Sequence, residues 1–249
     1  RRGNGSLDGL SQQVREMGVR VDLESEPVGR LEAWLTDQQV LQIAQRSDVL
    51  FMDFRGEPEL DVDLARIIGG ANYVESVAGF SGQGVRAEVM DSGLFTGHQE
   101  FSSMSPPPLL HGPVDSASHG TAVFSIVFAQ GVNPQARGFL PDAEQTIMAD
   151  YGALGDRYAH TARLVDPDGP YRAVFQTNSW GSPRTTDYTT VSAEMDDILF
   201  DHNIMILQSQ SNSGGTPSRP QAWAKNIIGV GGINHFNTLT RDDDSHGGS

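Results

Sequence analysis

The chain has 249 residues, enough for one large α/β domain or for an ordinary domain with a small companion, and its 37% hydrophobic content is that of a globular protein rather than a disordered one. Its 32 acidic against 17 basic residues give a formal charge of -15, which repels phosphate backbones and anionic lipid surfaces, so nucleic acid is excluded as an expected partner. With no cysteine there are no disulfides and no thiolate metal sites, and the redox compartment stays open. No apolar run approaches the roughly 18 residues of a membrane span. Arg1-Arg2-Gly3-Asn4 has no apolar segment behind it, and the expectation is that any signal peptide was removed or never existed.

The first sixty or so residues read as a small α/β unit. A helix is expected from Leu10 to Met17. Val19 to Leu23 and Leu31 to Leu35 alternate like paired strands, with Pro27 and Gly29 between them. Thr36 and Gln39 form a capping box that starts a helix, whose inward face is expected to be Val40, Leu41, Ile43 and Ala44. Val49 to Phe54 returns as a strand. Helix, strand, strand, helix, strand is a split βαβ arrangement without its first strand.

Arg55 to Asp63 is polar and acidic and reads as a linker, which places the division at residues 1–62 and 63–249. Beyond it, Val85 to Met90, Thr146 to Ala149, Val174 to Thr177, Ile204 to Leu207 and Ile227 to Val230 are short, apolar and bounded by turn residues. Such strands, spaced by helix-length segments, imply a parallel sheet covered on both faces.

In open α/β sheets reactive groups gather at the carboxyl ends of strands. Asp91 ends the first of these strands inside Val89-Met90-Asp91-Ser92-Gly93, which taken alone also reads as a turn. His119 precedes Gly120-Thr121 and an apolar helical run, Ala122 to Phe128, which puts its imidazole at a helix start. At this point the chain resembles the subtilisin-like serine peptidases, whose aspartate and histidine motifs read Asp-Ser/Thr-Gly and His-Gly-Thr in that order. The likeness continues through Leu94 to Phe101, with Gln99 where the family commonly has proline. It extends to Asn178-Ser179-Trp180-Gly181, to Ser211-Asn212-Ser213-Gly214, and to Ala224 to Gly232, similar to a strand entering a Val-Gly-Ala turn. Residues 10 to 54 are similar to the family's inhibitory prosegment, which folds as a ferredoxin-like unit and lays its last strand in the active-site cleft.

The resemblance implies a serine endopeptidase made as a self-inhibited proenzyme and acting on protein or peptide substrates. His119 would be the general base, Asp91 its orienting carboxylate and Asn212 the oxyanion donor. Ser179, Trp180 and Gly181 would line the cleft. The family's Gly-Thr-Ser nucleophile motif has no counterpart here. Ser249 is set aside because the family places another strand and loop before its serine, so the nucleophile is expected on a C-terminal remainder, on this chain or another, and these residues alone are expected to be inactive. The prosegment would be cut between Arg55 and Arg66. Ala122 stands where a second histidine is frequent, and Phe124-Ser125 replaces the usual Ala-Gly. Glu100 occupies the place of a calcium-ligating carboxylate in many relatives, which leaves calcium open. Asp242 to Asp244 reads as an acidic surface loop, and no required cofactor or metal-ligand set is read from the sequence. The resemblance also implies a secreted, bacterial protein. Two alternatives stand beside it. One is a pseudoprotease scaffold without a serine, and the other is a nucleotide-binding protein suggested by Gly229-Val230-Gly231-Gly232, which lacks the Gly-x-Gly-x-x-Gly spacing.

Overall fold

The computed structural model describes residues 7–25, 30–49, 52, 62–234, 236 and 238–246. The chain divides into two compact units, Arg1–Glu59 and Leu60–Ser249.

In the first unit, helix α1 (Asp8–Glu16) leads to β1 (Val21–Ser25), β2 (Arg30–Ala33) and helix α2 (Asp37–Ala44). The two strands pair antiparallel, with Val21 opposite Ala33 and Glu24 opposite Leu31. The capping box forms: Thr36 Oγ1 accepts from the Gln39 amide, and the Gln39 side chain accepts from the Thr36 amide at 2.8 Å. The expected inward face of α2 does not form, because Ile43 is its one buried residue and Leu41 is 66% exposed. Among the described residues of this unit little surface is available to cover a helix of two turns, the general difficulty of small units. Of the expected strand 49–54, only Val49 and Met52 are described residues, and neither is in a strand; Pro27 and Gly29 also lie outside them.

The second unit runs α3 (Val62–Ile68), α4 (Ala71–Ala78), β3 (Arg86–Asp91), β4 (Leu109–Leu110), α5 (Ser118–Phe128), β5 (Gln145–Asp150), α6 (Arg157–Val165), β6 (Phe175–Asn178), α7 (Thr190–Asp201) and β7 (Met205–Ser209). It continues with β8 (Ile228–Val230), β9 (Ile233–Asn234) and β10 (Ser245–His246). Six strands form one parallel sheet in the order β4-β5-β3-β6-β7-β8. The fold is therefore α/β, a parallel sheet flanked by helices. All five apolar runs of the sequence are its strands, and the two-residue β4 is an addition. The chain adds strands on one side of β3 and then returns to its other side, so β3 marks where the strand order reverses.

Side chains alternate across β3 as strand geometry requires. Ala87 and Val89 pack with Phe124 and Phe128 of α5 on one face. The other face carries a second core, where Ile147 and Ile206 meet Leu164 of α6 and Ile198 of α7. Burial on both faces fails at the edge strand β8, whose three residues are all exposed. After β8 the glycines lead to β9 and not to a helix start, which removes the geometry a dinucleotide site needs.

Helices α3 and α4 are tied to the loop before β5 by one charged cluster. The buried Arg66 donates to Asn72, to the Gly138 carbonyl and to Glu75, and Arg137 donates to the other Glu75 oxygen at 2.7 Å. Hydrogen bonding from Arg137, reinforced by the Arg66 charge, holds the Glu75 carboxyl below its ordinary range despite the opposing effect of desolvation. A depressed folded value means the stabilisation is present above the unfolded carboxylate value of about 4.3 and is lost as pH falls through the folded one. Glu75→Gln, which leaves buried Arg66 underpartnered, is expected to destabilise the protein by about 2 kcal/mol near neutrality. Denaturant titrations at several pH values should show that deficit closing as the pH falls below about 4.

Candidate active site

Asp91 is the last residue of β3 and is fully buried. Its Oδ1 accepts from the Ser92 amide at 2.7 Å and from the Ser92 hydroxyl at 3.0 Å, which orients the carboxylate. The same oxygen lies 2.7 Å from Nδ1 of His119, the second residue of α5. Against a carboxylate Nδ1 carries the proton, so Nε2 is the basic nitrogen. The His119 side chain is 61% exposed, so the ring is held at one nitrogen while most of it remains open to a reactant. Asp91 Oδ2 is buried and accepts from no group among the described residues.

This pairing requires the strand end and the helix start to approach at backbone distance. A Cβ on Gly120 would sit 2.1 Å from the Gly93 carbonyl oxygen, and one on Gly93, at φ +133°, would sit 2.1 Å from the Asp115 carbonyl oxygen. Neither residue can carry a side chain without movement. Thr121 completes the seam, because its hydroxyl accepts from the Phe95 amide at 2.9 Å and donates to the Ala117 carbonyl at 2.7 Å. The glycines and threonine of the two motifs are thus spacers and stitches for the polar pair.

The other expected site residues lie along the same edge. Asn178 ends β6 opposite Met90, and Gln208 of β7 lies opposite Asn178. Ser179 follows as an exposed residue, and Trp180 is half-buried, stacked on Tyr151 at 4.8 Å with the Arg157 guanidinium 5.4 Å from its ring. Gly181 packs on the Arg219 side chain. Asn212 is exposed, three residues beyond the end of β7. Adjacent strands lie about 4.8 Å apart, so the ends of β3 and β7 are separated by roughly 10 Å across the edge. Among the described residues the structure brings Asp91 and His119 into direct contact, whereas Ser179, Trp180, Gly181 and Asn212 make no hydrogen bond to either. Gly247, Gly248 and Ser249 lie outside the described residues. Glu100 is buried, and its two oxygens accept the amides of Gly131, Val132 and Asn133 at 2.7 to 3.0 Å, so here the carboxylate anchors a loop.

Sequence reasoning missed a polar cluster on the opposite face of β3. Glu88 is fully buried, with His111 Nδ1 at 2.8 Å from Oε2 and His160 Nε2 at 2.9 Å from Oε1. Burial opposes charge on Glu88, but hydrogen bonds from the two imidazoles outweigh it and hold the carboxyl below its ordinary range. Burial lowers His160 against the pull of the same carboxylate. Gln176 donates to Glu88 at 2.6 Å and accepts from Arg157 at 2.8 Å; desolvation brings that buried guanidinium down to about 10. The available signal was an acid in mid-strand between the apolar Ala87 and Val89, since a buried carboxylate demands partners.

No family model and no curated protein matches the sequence. Solved structures do match. The patellamide maturation protease PatA aligns at TM-score 0.50 and 17% identity, over 63% of this chain and 59% of that one. The prenylagaramide maturation protease PagA aligns at TM-score 0.49 and 17% identity, over 73% of this chain and 61% of that one. The subtilisin-like protease Apa1 from Pseudoalteromonas sp. AS-11 aligns at TM-score 0.47 and 17% identity, over 65% and 39%. The structural neighbours are subtilisin-like serine proteases, and at these identities the likeness is one of fold. This chain spans about three fifths of the length of PatA and PagA.

Gly120→Ala is expected to force α5 away from β3, at about 2 kcal/mol of stability, a usual penalty for overpacking. Thermal unfolding combined with exchange rates for the Leu94 and Phe95 amides checks this. An unchanged midpoint with unchanged protection would contradict the close approach.

Proposed function

We propose that this chain supplies the aspartate and histidine of a subtilisin-like serine endopeptidase that hydrolyses peptide bonds. The observation that carries the reading is the 2.7 Å contact between Asp91 and His119, at the carboxyl end of the strand where the sheet's order reverses. The fold shared with serine proteases supports it.

In this mechanism a serine hydroxyl, supplied by polypeptide outside these 249 residues, attacks the scissile carbonyl. Its proton passes to Nε2 of His119, and Asp91 stabilises the resulting imidazolium without taking the proton. His119 then donates that proton to the departing amine, and a water molecule releases the acyl group by the same steps. Asn212, on the loop after β7, would donate its side-chain amide to the oxyanion. Ser179 to Gly181 would pair with the peptide as an added strand, since their backbone continues β6 past its last sheet residue. The first unit would serve as a tethered inhibitor, in keeping with its helix-strand-strand-helix order.

Peptide hydrolysis by the protein with its serine-bearing segment tests the proposal. Asp91→Asn is expected to lower kcat by about 10⁴-fold, and Asn212→Ala by about 10² to 10³-fold. His119→Ala is expected to abolish both turnover and labelling of the serine by a fluorophosphonate. Wild-type rates in Asp91→Asn or His119→Ala would overturn the assignment.

A further inference from the structure

The cluster on the far face of β3 plays no part in that chemistry. Glu88, His111 and His160 are each more than nine-tenths buried, at 0%, 6% and 3% exposure, and their ligand atoms all lie within 4.8 Å of one another. They come from three separate elements: the middle of β3, the residue after β4, and the first turns of α6. Such convergence of two imidazoles on one carboxylate, away from water, removes three hydrated polar groups from solvent and needs compensation. Hydrogen bonds supply part of it. They satisfy both Glu88 oxygens but leave His111 Nε2 buried and unpartnered among the described residues. Against the Glu88 carboxylate His111 Nδ1 carries the proton, so a cation binding at Nδ1 would displace that proton, to solvent or to the unpartnered Nε2.

We propose that Glu88, His111 and His160 form a structural binding site for one first-row transition-metal dication of the Zn²⁺ type, joining β3, the exit of β4 and α6. The donors suit that class. Two imidazoles and a carboxylate are a known Zn²⁺ set, and with all three side chains buried nothing in the set favours the oxygen-rich shell that Ca²⁺ requires. The carboxylate–imidazole pairs now 2.8 and 2.9 Å apart would open by about half an ångström to span a tetrahedral ion with bonds of about 2.0 to 2.1 Å, and the His111 and His160 rings, stacked at 3.6 Å, would have to part by more than that. Outer contacts already hold the ligands: Gln176 donates to Glu88, and the Tyr171 ring stacks on His111 at 4.0 Å. The positive charge of Arg157, one hydrogen bond beyond Gln176, works against a cation, so binding is expected to be weaker than in a set with two carboxylates.

The test uses the chain as it stands, stripped with a chelator and then dialysed against Zn²⁺ or Co²⁺. Wild type is expected to retain about one metal per chain, to unfold at a higher temperature when loaded, and with Co²⁺ to show the visible absorption of a four-coordinate site. Glu88→Gln and His160→Gln should lose the retained metal and the absorption, and His119→Ala should keep both. Failure of the wild type to retain metal would overturn the proposal without recourse to any variant. Retention that survives in Glu88→Gln and His160→Gln but is lost in His119→Ala would place the metal at the Asp91–His119 pair and equally overturn it.

Discussion

The candidate site depends on one close approach. The end of β3 and the start of α5 come together over two glycines, and only because neither carries a side chain can Asp91 and His119 share a proton. A buried carboxylate with one oxygen fixed by Ser92 and His119 is unfavourable in isolation, and a partly exposed imidazole has no reason to stay in one orientation by itself. Each therefore sets the state of the other: the carboxylate selects the histidine's tautomer, and the histidine supplies one of the few hydrogen bonds the buried charge receives. Thr121, Phe95 and Asp115 belong to the same arrangement, since their backbone bonds hold the loops that frame the glycine contact.

β3 carries two buried carboxylates three residues apart, and strand geometry sends them to opposite faces. Glu88 is surrounded by donors on both oxygens, in the middle of the strand, under α6. Asp91 is at the end, with Oδ2 unpartnered among the described residues and an exposed histidine beside it. The first arrangement is closed and fits a structural role. The second leaves the His119 ring accessible beside a buried carboxylate, the opening that a reacting group needs. Arg157 links the two regions, reaching Glu88 through Gln176 and also bonding Asn178 and lying near the Trp180 ring, so the buried cluster supports the β6 end of the candidate site.

The parallel sheet was legible in the sequence because strands buried on both faces must be short, apolar and bounded by turns, and the five runs that satisfy this became strands. Asp91 and His119 were legible because their neighbours are constrained as well: Gly93, Gly120 and Thr121 are required by backbone contacts, so the motifs carry more information than two polar residues would. The inward face expected for α2 was misjudged, since periodicity reports which residues could be buried and not whether anything covers them; Val40 and Leu41 are exposed. The burial expected of β8 failed for the same reason: it is a strand of the sheet, apolar yet open at its edge. The Glu88 cluster was not visible as a cluster because its members are far apart in sequence, and Glu88 alone carried a local signal. The register of β3 against β6 brings Gln176, the placement of α6 brings His160, and the pairing of β4 with β5 and of β5 with β3 brings His111 to one carboxylate.

The most direct test of the central claim is a proton NMR spectrum of the 249-residue chain in the region far downfield of the backbone amides. A histidine N–H held against a buried carboxylate resonates there because exchange with water is slowed and the proton is deshielded by the strong bond. Such a resonance is expected for His119 Nδ1–H, lost in Asp91→Asn while the rest of the spectrum stays that of the folded protein. A resonance that survives that substitution unchanged, or a folded wild type in which His119 Nδ1 exchanges as freely as an exposed imidazole, would contradict it.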